Sequence, residues 1–287
     1  MPALPAPERA SAPAIRRELW LRSMFDFYAT GIRTQIQTQF QYPAATYMYT
    51  LGMVAEPVIY LVVWTTIAKS QGGAVQGIGT AQFAAYYIVW TFVRAMNIVF
   101  TPYGWEWRIR EGELSGHLLR PLHPIHYDLA WFAGHKVPWL VMYLPIGVGL
   151  TLIFHPALHP RPLEIVVFLI AIWGAYLIRS LNNFILGMIT IWTTRASAIF
   201  EVWFLSELLL SGRLLPLTLM PHWVQSLSNW LPFKWTFYFP IESLVGDMSN
   251  IELVKGLGTQ LLWIGVCTAL MRGAWKLSVR HYSAVGN

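Results

Sequence analysis

The chain has 287 residues, of which 55% are hydrophobic and 12% are charged, and its formal net charge is +6. Soluble domains contain about 25% charged residues, so this composition excludes an ordinary soluble fold and indicates a protein that lies in a lipid bilayer. The excess of positive charge is typical of the cytoplasmic loops of membrane proteins and does not favour binding to nucleic acid. The single cysteine, Cys267, excludes a disulfide framework within the chain.

The N-terminal region differs in composition from the rest of the chain. Residues 1–19 are rich in Ala, Pro and Ser, and we expect a disordered cytoplasmic tail there. They contain no continuous apolar core of the kind found in a signal peptide. Residues 20–42 mix apolar side chains with Arg22, Asp26 and Arg33, which predicts an amphipathic helix lying in the cytoplasmic interface of the membrane.

Six stretches in the remaining chain are apolar enough to be membrane-spanning helices, which need about 20 residues. The third stretch contains no charge, and the fifth is the shortest. Residues 43–287 are therefore predicted to form one six-span transmembrane domain, an all-α integral membrane fold. The predicted spans lie near residues 46–68, 82–100, 137–154, 165–194, 196–212 and 253–271.

The basic residues orient these spans, because cytoplasmic segments carry an excess of Lys and Arg. Alternate segments, including both ends of the chain, hold most of them, which predicts that both termini are cytoplasmic. These segments contain Arg9, Arg16, Arg17, Arg22, Arg33, Arg108, Arg110, Arg120, Lys136, Arg195, Arg272, Lys276 and Arg280, whereas the opposite side has only Lys69, Arg161, Arg213, Lys234 and Lys255.

The segment 214–239, before the last span, is apolar but interrupted by prolines. Non-helical backbone at membrane depth is tolerated only where protein or a water-filled cavity satisfies it. We interpret the segment as an external re-entrant hairpin, with an ordinary external loop as the alternative. Its prolines and tryptophans are Pro216, Pro221, Pro232, Trp223, Trp230 and Trp235.

The loop 103–136, between the second and third spans, is the most charged part of the chain. Leu114, Leu118 and Leu122 follow one another at intervals of four residues, which places them on one face of a helix. Pro121 and Pro124 are expected to end that helix. A short amphipathic element of this kind suits docking into a groove of another protein; the alternative is a connector that lies on the membrane without a partner.

Residues 110–127 read REGELSGHLLRPLHPIHY, and this string resembles the cytoplasmic loop of bacterial ABC transporter permeases of the second type, the ABC type-2 family. The six spans, the interfacial helix and the broken segment before the last span are similar to that family as well. The resemblance implies the ABC type-2 exporter fold in the cytoplasmic membrane of a bacterium. Members of this branch often pair two different six-span permeases, which implies a heterodimer in preference to a homodimer.

The resemblance also implies that the loop is a coupling helix that docks on a cytoplasmic ABC ATPase subunit. The chain contains no G-x-x-x-x-G-K-[ST] sequence, so ATP and Mg are expected on partner subunits, and no cofactor is expected to bind this chain directly. The residues that would contact the ATPase are Glu111, Glu113, Leu114, Leu118, Leu119, Arg120, Pro121 and Leu122.

Several polar residues fall within the predicted spans, where charged groups are costly and tend to face a cavity or a partner. One interpretation is a polar strip that lines a substrate path or faces the partner permease. The other is a structural network in which Arg94 or Arg179 pairs with one of the glutamates, and the sequence does not decide between them. The set comprises Glu56, Arg94, Arg179, Asn182, Asn183, Glu201 and Glu207.

Two other classes of function fit the sequence less well than an ATP-driven exporter. A secondary transporter typically shows paired broken helices in inverted repeats, and this chain has one broken region. An intramembrane lipid-modifying enzyme needs converging catalytic or metal-binding groups. The histidines His117, His123, His126 and His135 are separated by prolines and have no nearby cysteine, so neither a metal site nor a catalytic site is predicted.

Overall fold

The computed structural model describes residues 12–41, 43–193 and 196–282. Within these ranges the chain is almost entirely helical, and a hairpin of two antiparallel strands, β1 (Ala74–Val75) and β2 (Ile78–Gly79), joins the second and third helices. The helices are α1 (Ala12–Gln41), α2 (Pro43–Ser70), α3 (Thr80–Met96), α4 (Pro102–Arg110), α5 (Leu114–Leu118), α6 (Pro124–Phe154), α7 (Pro162–Met188), α8 (Ala196–Leu210), α9 (His222–Asn229), α10 (Tyr238–Val245) and α11 (Asn250–His281).

Four helices of the described chain are long and apolar enough to cross a membrane, and they correspond to the first, third, fourth and sixth predicted spans. Helix α3 has 17 residues and α8 has 15, which gives lengths of roughly 25 and 22 Å, less than the ~30 Å hydrocarbon core. The protein is an all-α integral membrane protein, and the count of six spans stays a prediction. The four long stretches are Thr46–Ser70, Pro124–Phe154, Pro162–Ile191 and Asn250–His281.

Helix α3 lies at the centre of the bundle. All residues from 83 to 91 are buried, and α3 contacts α2, α6, α7 and α10. Because these neighbours surround α3, its side chains pack on protein on every side. The long helices instead expose rows of apolar side chains, as on α6 and α11, which is the surface expected of helices that face lipid or another membrane subunit.

The segment predicted to be re-entrant consists of short helical turns, and its second half lies inside the bundle. Phe237 is fully buried. The Thr236 carbonyl accepts a hydrogen bond from Asn97 Nδ2 at 2.5 Å, and the Trp235 carbonyl accepts one from Gln260 Nε2 at 3.0 Å. Side chains thus bind backbone groups that no helix satisfies, which is the condition for irregular backbone at membrane depth. The re-entrant interpretation itself stays a prediction.

Two predicted boundaries are wrong. Helix α1 begins at Ala12, so residues 12–19, which were predicted to be a disordered tail, are helical; residues 1–11 lie outside the described residues. Helix α6 begins at Pro124, so the loop that was predicted to continue to residue 136 ends at His123. Pro124 occupies the first helical position, where its missing N–H is not needed, and His123 Nδ1 accepts from the Ile125 N–H.

Helix α7 packs closely against its neighbours because glycines replace side chains at the contacts. A Cβ added at Gly187 would lie 2.2 Å from the Cβ of Trp105 on α4. Trp105 is almost fully buried in a cluster with Phe184, Ile178 and Leu114. The contact fixes the segment that follows α3 against the membrane helices.

Candidate functional site

Five charged side chains meet in the interior of the bundle, and we call them the arginine–glutamate cluster: Glu56, Arg94, Arg179, Glu207 and Arg213. Four of them come from helices α2, α3, α7 and α8. The fifth follows the end of α8, where Gly212 turns the chain with φ +80°. The cluster therefore joins four helices that are separated in the sequence.

The two glutamates link the three arginines into one chain of ion pairs. Glu56 binds Arg94 directly and lies 3.2 Å from Arg213 Nη2. Glu207 accepts two hydrogen bonds from Arg179, at 2.9 and 3.0 Å, and lies 3.7 Å from Arg213 Nη1. Arg213 thus bridges both carboxylates, and the paired arrangement between Arg179 and Glu207 is the bidentate geometry that guanidinium groups favour.

An aromatic ring completes the cluster. The Phe237 centroid lies 5.4 Å from Arg179 Cζ and 5.6 Å from Arg213 Cζ, which allows a cation–π interaction with both guanidinium groups. Since Phe237 belongs to the segment before the last helix, this contact ties that segment to the charges of α7 and α8.

The cluster carries a net positive charge. Glu207 is 3% exposed and the arginines are 16–18% exposed. A charge at the bilayer centre costs about 2.5–3.5 kcal/mol on insertion scales, so pairing is needed to hold these groups. Arginine does not lose its proton in proteins, and the two carboxylates neutralise two of the three guanidinium groups. One positive charge is left over among the cluster residues.

A cavity of about 180 Å³ adjoins the cluster. All three of its arginines line this cavity, and neither of its glutamates does. Tyr49 of α2 and Phe204 of α8 form other parts of the wall. The uncompensated charge of the cluster therefore faces an open space.

The other polar residues predicted within the spans do not join the cluster. Asn182 accepts from Cys267 Sγ at 3.4 Å, and Asn183 Nδ2 donates to the Phe100 carbonyl at 3.2 Å. Glu201 is exposed and accepts a hydrogen bond from the Tyr103 hydroxyl. The predicted set thus separates into paired charges, interhelical hydrogen bonds and one surface carboxylate.

Two cations that the sequence analysis placed outside the spans lie inside the bundle. Arg213 belongs to the cluster. Lys136 is 2% exposed, and its Nζ donates to the carbonyls of Met96 and Ile98 at 2.5 and 3.1 Å. Both residues flank the predicted apolar stretches, so the sequence places them in loops, Lys136 on the cytoplasmic side and Arg213 on the opposite side. Their burial depends on contacts with distant parts of the chain, which leave no local signal.

The segment between α3 and α6, which contains helices α4 and α5, is anchored to the rest of the protein. Leu114 is fully buried, and Arg108 forms a bidentate ion pair with Asp128 at 3.0 and 3.1 Å. The Tyr282 hydroxyl, beyond the end of α11, hydrogen-bonds with Ser115 Oγ at 3.0 Å and donates to the Gly112 carbonyl at 3.3 Å. The segment is thus fixed to the start of α6 and to the residue that follows α11.

The predicted apolar stripe on this segment is wrong, since its leucines do not share one face. Helix α5 ends at Leu118, before Leu122 is reached, because Pro121 interrupts the helical pattern. Leu114 points into the protein and has no surface for a partner, whereas Leu119 is 90% exposed and Leu118 is 37% exposed. Glu111, Glu113, Arg120 and Pro121 are exposed beside them, and Leu122 is partly buried.

The histidines of this segment, His117 and His123, are partly buried. Burial lowers the pKa of both His117 and His123 to about 4, and for His117 the nearby Arg108 and Arg120 lower it further. Both are therefore neutral at pH 7. Among the described residues, no group of three His, Cys, Asp or Glu side chains converges as metal ligands.

A larger cavity, of about 530 Å³, lies between α1 and the anchored segment. It is lined by side chains of both and of the start of α6, including Phe27, Gln35, His117, Arg120 and Trp131. The Tyr28 hydroxyl is 2.7 Å from His126 Nδ1, so α1 and the start of α6 are bonded beside the cavity. Helix α1 therefore packs against α6, next to the segment that is predicted to dock an ATPase.

The helical fold, the exposed apolar faces of the long helices and the paired charges in the interior define a multi-pass membrane protein. Residues 54–286 match the family described as "ABC-2 family transporter protein", which covers most of the chain. The chain belongs to this family and is the permease component of an ABC transporter. Membership of the family implies that the chain associates with ABC ATPase subunits. A search of curated proteins found no match.

Proposed function

We propose that this chain is the permease subunit of an ATP-driven ABC exporter in the cytoplasmic membrane of a bacterium. It works with a second six-span permease, in a heterodimer in preference to a homodimer. Separate ATPase subunits bind ATP and Mg and hydrolyse the ATP. The translocation path lies between the two permeases, and both termini of this chain are cytoplasmic.

The observation that carries this proposal is the exposed tip of the anchored segment. Leu118 and Leu119 are adjacent and exposed, with Glu111, Glu113 and Arg120 around them. An apolar centre with a charged rim is the common composition of a protein interface. Because Leu114 is fixed in the core below, movement of a docked subunit is transmitted to the membrane helices.

Exposed apolar faces on α2 and α8 support a second permease. Met48 and Leu51 of α2 are 75% and 61% exposed, and Val202 and Leu205 of α8 are 66% and 57% exposed. A neighbouring subunit along this face covers these exposed apolar side chains of α8, a helix that is shorter than the hydrocarbon core is thick. In this arrangement α3 and α8 are the second and fifth of six spans.

The proposal is tested by replacing the exposed leucines in the tagged chain, as Leu118→Asp with Leu119→Asp, and purifying it from its native membranes. The double variant is expected to lose the copurifying ATPase, because two carboxylates in an apolar contact are not compensated. The matched control is Trp223→Asp, since Trp223 is 67% exposed on α9, in the segment predicted to be external. Unchanged ATPase recovery from a folded double variant contradicts the docking role.

A further inference from the structure

The arginine–glutamate cluster presents only its positive side to the adjoining cavity. Arg94, Arg179 and Arg213 line that cavity, whereas the two glutamates do not. In addition, Arg213 Nε is buried without a hydrogen-bond partner. The cavity is therefore lined by a surplus positive charge, and the residue that bridges both carboxylates keeps one buried N–H unpaired.

Nearby charged groups in the described chain do not neutralise this surplus. Glu201, the other carboxylate of α8, is exposed, bonds to Tyr103 and does not line the cavity. Lys136 adds a further amine close to Ile98, a lining residue, and donates to backbone carbonyls rather than to a carboxylate. The surroundings thus favour an anion in this space and disfavour a cation.

The size of the cavity limits what it holds. A volume of about 180 Å³ equals roughly six water molecules, which is enough for a phosphate or carboxylate group and its hydration, but not for a lipid chain. Tyr49, in the wall, is 47% exposed, and the apolar side chains of Met48, Val202 and Leu205 are exposed on the same two helices. A hydrocarbon body attached to the anion has apolar surface to contact outside the cavity.

We propose that this cavity binds the anionic head group of an amphiphile, with the three arginines as its ligands and the apolar body against α2 and α8, in the path between this chain and the second permease. The inference rests on the proposed function in one respect: in the exporter it makes the cargo an anionic amphiphile, of the phosphate or carboxylate class. It deepens that function by assigning a substrate class to an interior site, and it excludes a cationic cargo at this site.

The test measures binding directly and needs no transport. The purified protein, with whatever subunits accompany it, is delipidated and titrated with phosphatidylglycerol or phosphatidylcholine in neutral detergent, and the retained lipid is counted by native mass spectrometry. Wild type is expected to retain phosphatidylglycerol at least tenfold more tightly than phosphatidylcholine. Arg213→Gln is expected to lose most of this preference, because it leaves two arginines paired with two glutamates.

Two further variants separate charge from structural damage. Glu56→Gln raises the surplus charge of the cluster and is expected to strengthen phosphatidylglycerol binding, whereas a merely structural role predicts weaker binding for both cluster variants. Lys255→Gln removes the same charge from an exposed position on α11 and is expected to match wild type. Should Arg213→Gln fail to fold, Glu56→Gln still decides the matter.

Other results overturn the proposal. Equal retention of the two lipids by wild type, or an unchanged preference in Arg213→Gln, removes the anion site. Binding of inorganic phosphate without binding of phosphatidylglycerol shows that the cavity holds a free anion and no amphiphile. Loss of lipid binding only in the presence of a second permease shows that the partner closes the site to lipid. Absence of an ATPase in the sample leaves the lipid result intact, so the two proposals fail separately.

Discussion

Removing the charge of Glu207 tests whether the arginine–glutamate cluster holds the bundle together. Glu207→Gln keeps the size of the side chain but removes its negative charge. The carboxylate is 3% exposed and accepts two hydrogen bonds from Arg179, at 2.9 and 3.0 Å. The variant leaves three arginines with Glu56 alone, so the surplus positive charge of the cluster doubles.

The expected effect is large because the arginines stay buried. Breaking a buried ion pair by neutralising one partner costs about 3–5 kcal/mol. For a domain of 150–250 residues, 1 kcal/mol shifts Tm by roughly 2–4 °C, so the expected decrease in Tm is roughly 6–20 °C. Glu201→Gln is the matched control on the same helix, and it is expected to cost less than about 1 kcal/mol because Glu201 is exposed.

The assay is thermal unfolding in detergent, followed by the amount of monodisperse protein that remains after heating. A third variant, with Arg179→Leu and Glu207→Leu together, removes both partners and is expected to be more stable than Glu207→Gln. Equal Tm decreases for Glu207→Gln and Glu201→Gln refute the reasoning, since they show that the buried pairing contributes nothing beyond a surface hydrogen bond.

Three further predictions concern the same fold. Gly187→Ala is expected to lower the free energy of unfolding by about 1–3 kcal/mol, and with it Tm, because the added Cβ overlaps Trp105. Gly258→Ala, where a Cβ meets nothing within 4 Å, is expected to be neutral. Equal effects of the two substitutions contradict the close contact at Gly187. Leu114→Ala is expected to cost about 2–5 kcal/mol and to lower Tm while ATPase recovery is retained at low temperature, because the side chain is buried; an unchanged Tm contradicts its role as an anchor. The folded-state pKa of His117 and of His123 is about 4, below the usual 6.5, so the unfolded chain binds more protons between pH 6.5 and pH 4 and stability falls as pH decreases through that window. Tm is therefore expected to be lower at pH 5 than at pH 7.5, and His123→Gln is expected to reduce the difference, whereas an identical pH dependence in the variant contradicts the assignment.

The long apolar runs were predictable from the sequence because membrane thickness sets the length of a spanning helix. Helices α2, α6 and α11 contain the corresponding predicted spans, and α7 covers most of the fourth, ending at Met188 where the prediction ran to residue 194. The start of α1 at Ala12 was missed, since residues 12–19 combine proline and arginine in a composition also typical of disordered tails. The presence of the long helices was predictable from their apolar runs, whereas their first and last residues depend on tertiary contacts.

The polar interior was predictable only in part. The sequence identified Glu56, Arg94, Arg179 and Glu207 as costly charges that need partners, but many pairings satisfied that requirement. The place of Arg213 depends on the turn after α8 and on two carboxylates from different helices. Such a contact between distant parts of the chain leaves no local periodicity to detect.

The anchored segment between α3 and α6 was also predictable only in part. Its leucines repeat at helical spacing, and this pattern predicts one apolar face. Helix α5 spans only Leu114–Leu118, and the turn that follows rotates Leu119 outward while Leu114 stays in the core. Spacing identified the residues of the segment, but the backbone turn determined which of them a partner reaches.

The central claim is that this chain is one half of the membrane part of an ATP-driven exporter. The most direct measurement is affinity purification of the tagged chain from native membranes in mild detergent, with mass spectrometry and an ATPase assay of the product. The account predicts a copurifying Walker-motif ATPase, a second six-span permease and ATP hydrolysis. A chain that purifies alone and without ATPase activity contradicts it.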